Sequence, residues 1–294
     1  MKIIPYGKEK YARPCVLLLG YFDAMHVGHR RLVERAKEAA AESGCDVGIM
    51  TFTGAKNGGQ VFIYEERLHI FASLGIDFVY PADFGDPAFR TTEGDEFLHN
   101  VCAQLNVRAF VCGEDFTYGK GAACGAGELR AFGKAHGIAV YAEPLVCPGG
   151  EKAASAAAKT LLDAGDIPAL EKLLGGRYFI EGAVSTEGRH VGTKIGFPTA
   201  NIHPSAQKYP LRRGVYAVSA QIGGKTYRGI ANYGARPTFG DGRVVLEIYF
   251  LGYGGDLYGR ELTVYFDFFI REIRKFNGAD ELAAQLKKDL EKIQ

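Results

Sequence analysis

Two patterns of hydrophobicity share this chain, and the change between them falls near residue 177. Before it, apolar runs of strand length alternate with stretches of helical period. After it, apolar residues recur at every second position. Strands alternating with helices build a parallel sheet, whereas period-two strands in series build an antiparallel one, so the change predicts two domains of different class.

In the first half, Cys15 to Gly20 (CVLLLG) is a continuous apolar run of buried-strand length. Leu32, Val33, Ala36 and Ala40 then lie on one face of an expected helix that ends at Gly44. Further strands are expected at 46–52, 77–80, 107–112 and 138–143, with helices at 67–73, 97–105 and 128–136 between them. This alternation implies a parallel sheet covered on both faces. Pro148-Gly149-Gly150 punctuates the chain, and 152–174 is expected to be helical with a break near Gly165-Asp166. Beyond Arg177, Tyr216, Val218, Ala220 and Ile222 alternate ahead of Gly223-Gly224, a hairpin turn signal. Runs at 244–251 and 262–270 alternate likewise, which predicts an antiparallel barrel or sandwich. A closing amphipathic helix carries Leu282, Leu286, Leu290 and Ile293. The expected divisions are 1–150, a helical connector at 151–176, and 177–294.

Composition removes several function classes. The 294 residues include 35 basic and 34 acidic side chains, a net charge of +1, which argues against nucleic acid or an anionic membrane as partner. No apolar run approaches the ~20 residues of a membrane helix, and the N-terminus lacks a signal-peptide core. The six cysteines (15, 45, 102, 112, 124 and 147) have no metal-ligand spacing and suit a reducing cytoplasm. The 39 glycines exceed an ordinary share and point to tight turns or loops that touch ligand.

Two stretches carry chemistry. Gly20-Tyr21-Phe22-Asp23-Ala24-Met25-His26-Val27-Gly28-His29 sits where the first strand turns into the first helix. In an open α/β sheet that turn is the ligand edge, and a helix N-terminus suits phosphate. His26 and His29 can both project toward an anion held there, and Gly28 lets the backbone approach. The plainer alternative is a histidine cap beside a turn glycine. In the second half, Gly188, Gly192 and Gly196 recur at spacing four ahead of Phe197-Pro198-Thr199-Ala200-Asn201. Such a loop leaves backbone donors open to a phosphate tail. Pro198 fixes the turn, and the Thr199 hydroxyl and Asn201 amide oxygen are reasonable partners for Mg²⁺. The plainer alternative here is a Gly-rich hairpin. A Walker A reading of Gly113 to Lys120 fails, because the interval is one residue too long and Gly121 follows the lysine.

These residues resemble the bacterial bifunctional riboflavin kinase/FMN adenylyltransferase family. GYFDAMHVGH is similar to its GxFDGxHxGH signature, and Gly113-Glu114-Asp115-Phe116-Thr117-Tyr118-Gly119 to its GxDFxFG stretch. GFPTANI at 196–202 looks like the riboflavin kinase hallmark. It is followed in family order by Gly214-Val215-Tyr216, the 229–239 stretch, Leu246-Glu247-Ile248, Asp256-Leu257-Tyr258-Gly259 and the 270–276 stretch. The resemblance implies an α/β Rossmann-like nucleotidylyltransferase domain of HxGH type, then an antiparallel β-barrel riboflavin kinase domain with a C-terminal helix. It implies ATP-dependent phosphorylation of riboflavin to FMN by the second domain and adenylylation of FMN to FAD by the first. His26 and His29 would act on the phosphates of ATP, with Gly20, Phe22, Asp23, Gly28, Ser155 and Lys159 around them. Thr199 and Asn201 would hold Mg²⁺–ATP under the 188–196 glycines and Pro198. Glu247 would be the general base, and Asp115, Phe116 and Arg271 would meet the flavin.

In its first half the chain departs from the family pattern at three places. Ala24 replaces a glycine, and Thr51-Phe52-Thr53-Gly54 lacks a Pro-His-Pro. The SSTxIR clamp is represented by Ser155 and by Lys159 in the arginine position, which keeps the charge and loses the fork. Two alternatives stay open from the sequence: a riboflavin kinase with a non-catalytic first domain, and a flavin- or nucleotide-binding regulator.

Overall fold

The computed structural model describes every residue except 55–57, 145, 147–152, 187–198, 236–243, 277 and 294. It divides into two compact units, Met1–Ser155 and Ala156–Gln294.

The first unit runs β1 (Lys2–Ile3), β2 (Tyr11–Leu19), α1 (Val27–Ser43), β3 (Asp46–Phe52), α2 (Tyr64–Ser73), β4 (Phe78–Ala82), α3 (Pro87–Thr91), α4 (Gly94–Gln104) and β5 (Leu105–Gly113). A small hairpin of β6 (Thr117–Tyr118) and β7 (Cys124–Gly125) follows, then α5 (Ala126–His136) and β8 (Ala139–Glu143). Among the described residues the sheet order is β1-β4-β3-β2-β5-β8, parallel throughout. The expected parallel α/β sheet is therefore present. From β2 the chain winds outward one way to β3 and β4, then crosses back to place β5 on β2's other side. That reversal is a topological switch point, and ligands of such sheets bind beyond the strands' carboxyl ends there. Cys15 to Leu19 of β2 are almost wholly inaccessible, which is what a central strand covered on both faces requires.

The second unit contains α6 (Ser155–Ala164, which begins at the division), α7 (Ile167–Leu174), β9 (Phe179–Ala183), β10 (Ala200–Ile202), β11 (Gly214–Ile222), β12 (Lys225–Ala235), β13 (Val244–Phe250), β14 (Glu261–Arg271) and α8 (Ala279–Glu291). Its sheet order is β10-β13-β12-β11-β14-β9, with antiparallel pairing. A bridge between Val184 and Ile202 draws the two edge strands together, so the sheet curls toward the expected barrel and hides its edges. Gly223 and Gly224 have φ of 59° and 81°, the two left-handed residues of a tight hairpin between β11 and β12. Leu286, Leu290 and Ile293 pack on Ala217 and Ile230, so the closing helix covers one sheet face. The opposite face buries Tyr216, Val218, Ile248, Val264 and Phe266.

Candidate active sites

In the first unit, the turn between β2 and α1 stands at the switch point. Phe22 and Met25 have φ of 56° and 45°, values an L side chain rarely adopts, and both side chains are fully buried. Strain of this kind persists where the surroundings over-determine it. His26 is the N-cap of α1, and its Nδ1 accepts a hydrogen bond from the His29 backbone N–H at 3.3 Å. The cap and the pair expected to meet phosphate are thus one arrangement. The two imidazoles stack with centroids 3.8 Å apart and planes 13° apart. A Cβ on Gly28 would stand 3.1 Å from the His26 ring, so only glycine leaves that ring undisturbed. No acidic side chain occupies the first turn of α1, and its N-terminal dipole is left for an incoming anion.

His29 shows part of its surface to the pocket, yet its ring is tightly enclosed and its Nδ1 has no hydrogen-bond partner among the described residues. Burial holds its pKa well below the ordinary 6.5, reinforced by the neighbouring His26 and Arg67 charges. His29 is accordingly a neutral imidazole at pH 7. It becomes easier to protonate when an anion arrives.

A cavity of about 630 Å³ opens on these residues, within the range of small-molecule sites. Gly20, Phe22, Asp23, His26, Gly28 and His29 line it, as do Asp115, Phe116 and Ser155. Of the residues expected on the first unit's site, all but Lys159 meet this one cavity. Part of its wall is aromatic: Phe52 and Phe84 stack at 3.8 Å, and Phe89 packs edge-on against both. Such a wall suits a flat ring system. Lys159 belongs to the second unit, on α6, with its ammonium 5.0 Å from the Tyr209 ring centroid.

Sequence reasoning missed Arg67. It lies on α2 with no exposed surface, although its charge suggests a solvated face. The signal was available: Arg67 precedes Ile70 and Phe71 at helical spacing, on the buried side.

The second unit's site is a row across the barrel. In register, Asn201 of β10 stands opposite Glu247 of β13, Glu247 opposite Asn232 of β12, Asn232 opposite Val215 of β11, and Val215 opposite Arg271 of β14. Directly opposite side chains share a face, so these groups lie side by side. Thr199 enters β10 and donates its hydroxyl to Glu247 Oε1 at 3.0 Å. Asn201 is buried, and the buried Asn232 Oδ1 has no partner among the described residues. The adjacent row on this face, Tyr249–Ile230–Ala217, is apolar and lies under α8. A polar strip beside an apolar surface fits a ligand with a hydroxylated chain and a flat apolar body.

Arg271 occupies the same row, but its guanidinium turns to the fully buried Asp289 of α8. Nε reaches one carboxylate oxygen at 3.1 Å and the other at 2.9 Å, and Nη2 reaches the second at 2.7 Å. Gly188, Gly192, Gly196 and Pro198 fall outside the described residues. Among the described residues no cluster of three or more His, Cys, Asp or Glu side chains is arranged to hold a metal ion. The Thr199 hydroxyl and Asn201 carboxamide are neutral oxygen donors, suited to a hard cation that arrives already bound to phosphate.

A family model described as FAD synthetase matches residues 8–157, and one described as riboflavin kinase matches residues 174–294. The bifunctional riboflavin kinase/FMN adenylyltransferase of Bacillus subtilis is 34% identical, over 96% of this chain and 92% of the relative. The Escherichia coli K12 protein of the same name is 33% identical, over 94% and 90%. A crystal structure of a protein named as a macrolide-efflux protein, from Streptococcus pneumoniae, superposes with a TM-score of 0.87 at 28% identity, covering 99% of this chain and 98% of that one. Among the described residues no helix is long and apolar enough to cross a membrane.

Proposed function

This chain belongs to the bifunctional riboflavin kinase/FMN adenylyltransferase family, and we propose that it makes FMN from riboflavin and ATP in its second unit and FAD from FMN and ATP in its first. The observation that carries the kinase reading is the Thr199–Glu247 hydrogen bond at 3.0 Å. It joins a candidate ligand of Mg²⁺–ATP to the candidate base, so the nucleotide and the hydroxyl nucleophile would be brought to one point.

In that reaction Glu247 orients the ribityl 5′-hydroxyl and accepts its proton as the oxygen attacks the γ-phosphorus, and ADP leaves. Mg²⁺ enters with ATP as part of the substrate and neutralises phosphate charge. Thr199 and Asn201 are the side chains that would hold it. Arg271 supports the flavin pocket by fixing α8 over the apolar row, rather than by a free guanidinium.

In adenylyl transfer a phosphate oxygen of FMN attacks the α-phosphorus of ATP, and pyrophosphate leaves. The N-terminus of α1 and the His26–His29 pair meet the negative charge that builds on those groups. The aromatic wall around Phe52 and Phe84, with Asp115 and Phe116 nearby, receives the flavin. Ser155, which lines that cavity, stands for the clamp.

Five free cysteines among the described residues support a reducing, cytoplasmic setting. Burial raises the Cys15 and Cys112 thiols to about 12 and Cys102 to about 11, so all three are inert. Position-labelled ATP tests the division of labour. A γ-phosphate label should enter FMN, and an α-phosphate label should enter FAD alone. An α label that never reaches a flavin leaves only the kinase.

A further inference from the structure

Arg67 carries a full positive charge with no exposed surface, and its hydrogen-bond partners are all neutral. Nη1 donates to the Tyr21 carbonyl at 2.9 Å and to the Thr51 hydroxyl. Nη2 donates to the Phe52 carbonyl at 2.7 Å and to Gln60 Oε1 at 3.4 Å. The Thr51 hydroxyl in turn donates to the Tyr21 carbonyl at 2.8 Å. The Tyr21 ring lies under the guanidinium, 5.2 Å from it, and its own hydroxyl reaches the Gly54 carbonyl at 2.9 Å. Burying an arginine among neutral acceptors costs free energy, and its Nε has no partner among the described residues. An apolar residue there would leave these acceptors without a donor, so Arg67 is held by what it bonds, and the Asp23 and Glu65 carboxylates offset part of its charge.

The two carbonyls it holds belong to the pocket wall. Tyr21 lies just past β2 and Phe52 ends β3, so one fork ties together the carboxyl ends of the two strands that flank α1. Tyr21, Phe22 and Phe52 line the cavity, whereas Arg67 lies behind them. Phe22, directly after the held carbonyl, is the residue with a φ of 56°. A backbone of that kind is strained and needs outside constraint. With the two carbonyls engaged by Arg67, their negative ends are also kept from a polyphosphate in the cavity.

We propose that Arg67 is a positioning residue for adenylyl transfer: it locks the Tyr21–Phe22 turn and the end of β3 so that His26 and His29 stand in line with the phosphates. The proposal rests on the adenylyltransferase reading of the first unit. Its charge is also felt at the site, since it helps to keep His29 neutral.

The test uses the full chain with Arg67→Lys and Arg67→Met. Lysine keeps the charge on one nitrogen and cannot span two carbonyls on different strands, and methionine removes the charge as well. Steady-state FAD formation from FMN and ATP is measured for each, with FMN formation from riboflavin by the same preparations and thermal unfolding as controls. The Lys variant should lose at least about tenfold in kcat with the KM for FMN and ATP within about threefold, and the Met variant more. Kinase activity should be unchanged in both. Should the Met variant fail to fold, the Lys variant carries the test.

Unchanged kcat in the Lys variant, or a raised KM with kcat intact, overturns the positioning role. A parallel fall in FMN formation reduces Arg67 to a structural residue and overturns it too. Parent protein that makes FMN and no FAD instead removes the adenylyltransferase reading itself, and that outcome is visible before any variant is assayed.

Discussion

The imidazoles of His26 and His29 stack 3.8 Å apart, and the ring of the first caps the helix that carries the second. Cap, pair and helix dipole are therefore one object. A change at any of its parts should be felt in the adenylyl step.

Acid should loosen the first unit through His29. Its folded pKa lies well below 6.5 because burial, then His26 and Arg67, disfavour the charged ring. Between that lower value and 6.5 the unfolded chain binds the extra proton and the folded chain does not, so stability falls as pH drops through this window. Thermal unfolding compared at pH 7 and pH 5 should show a smaller acid-induced drop in His29→Gln than in the parent. An equal drop in both would assign the acid sensitivity elsewhere.

Gly28→Ala should separate stability from activity. Alanine favours helix by about 1 kcal/mol over glycine, which offsets the push of its Cβ against the His26 ring at 3.1 Å. Unfolding should change little. FAD formation should fall about tenfold, since small misplacements of reacting groups are costly, while FMN formation stays level. Unimpaired FAD formation would mean the His26 ring has no fixed position in the reaction.

Glu247→Gln keeps an oxygen to accept from Thr199 but loses the base. Riboflavin binding, followed by quenching of flavin fluorescence, should persist while phosphorylation falls about a hundredfold or more. A variant that turns over at the parent rate would exclude Glu247 as the base.

Asp289→Ala should unfold the second unit's closing helix. Asp289 is fully buried and answers the partly buried Arg271, and breaking a buried charge pair by removing one partner costs up to about 3–5 kcal/mol. Denaturant unfolding should show a loss of that order. A loss under about 1 kcal/mol would mean water satisfies Arg271 there.

The sequence was most legible where periodicity is physically forced. Asp46–Phe52 is the expected strand residue for residue, because a strand covered on both faces must be apolar along its length. Helices α1, α2 and α4 begin a few residues before their apolar stripes, as polar first turns allow. Lys2–Ile3, Pro87–Thr91 and the Thr117–Gly125 hairpin are too short to show a period. Arg67 escaped notice because its acceptors are backbone carbonyls and side chains up to 46 residues away, which only the fold brings together. For the same reason Arg271 reads as a ligand residue until Asp289 is placed beside it.

The most direct measurement is a time course of flavin products from riboflavin, ATP and Mg²⁺ with the purified protein. FMN should appear first, then decline as FAD accumulates with one pyrophosphate released per FAD. FMN that rises to a plateau with no FAD would contradict adenylyl transfer by the first unit. Riboflavin left unconverted would contradict the account as a whole.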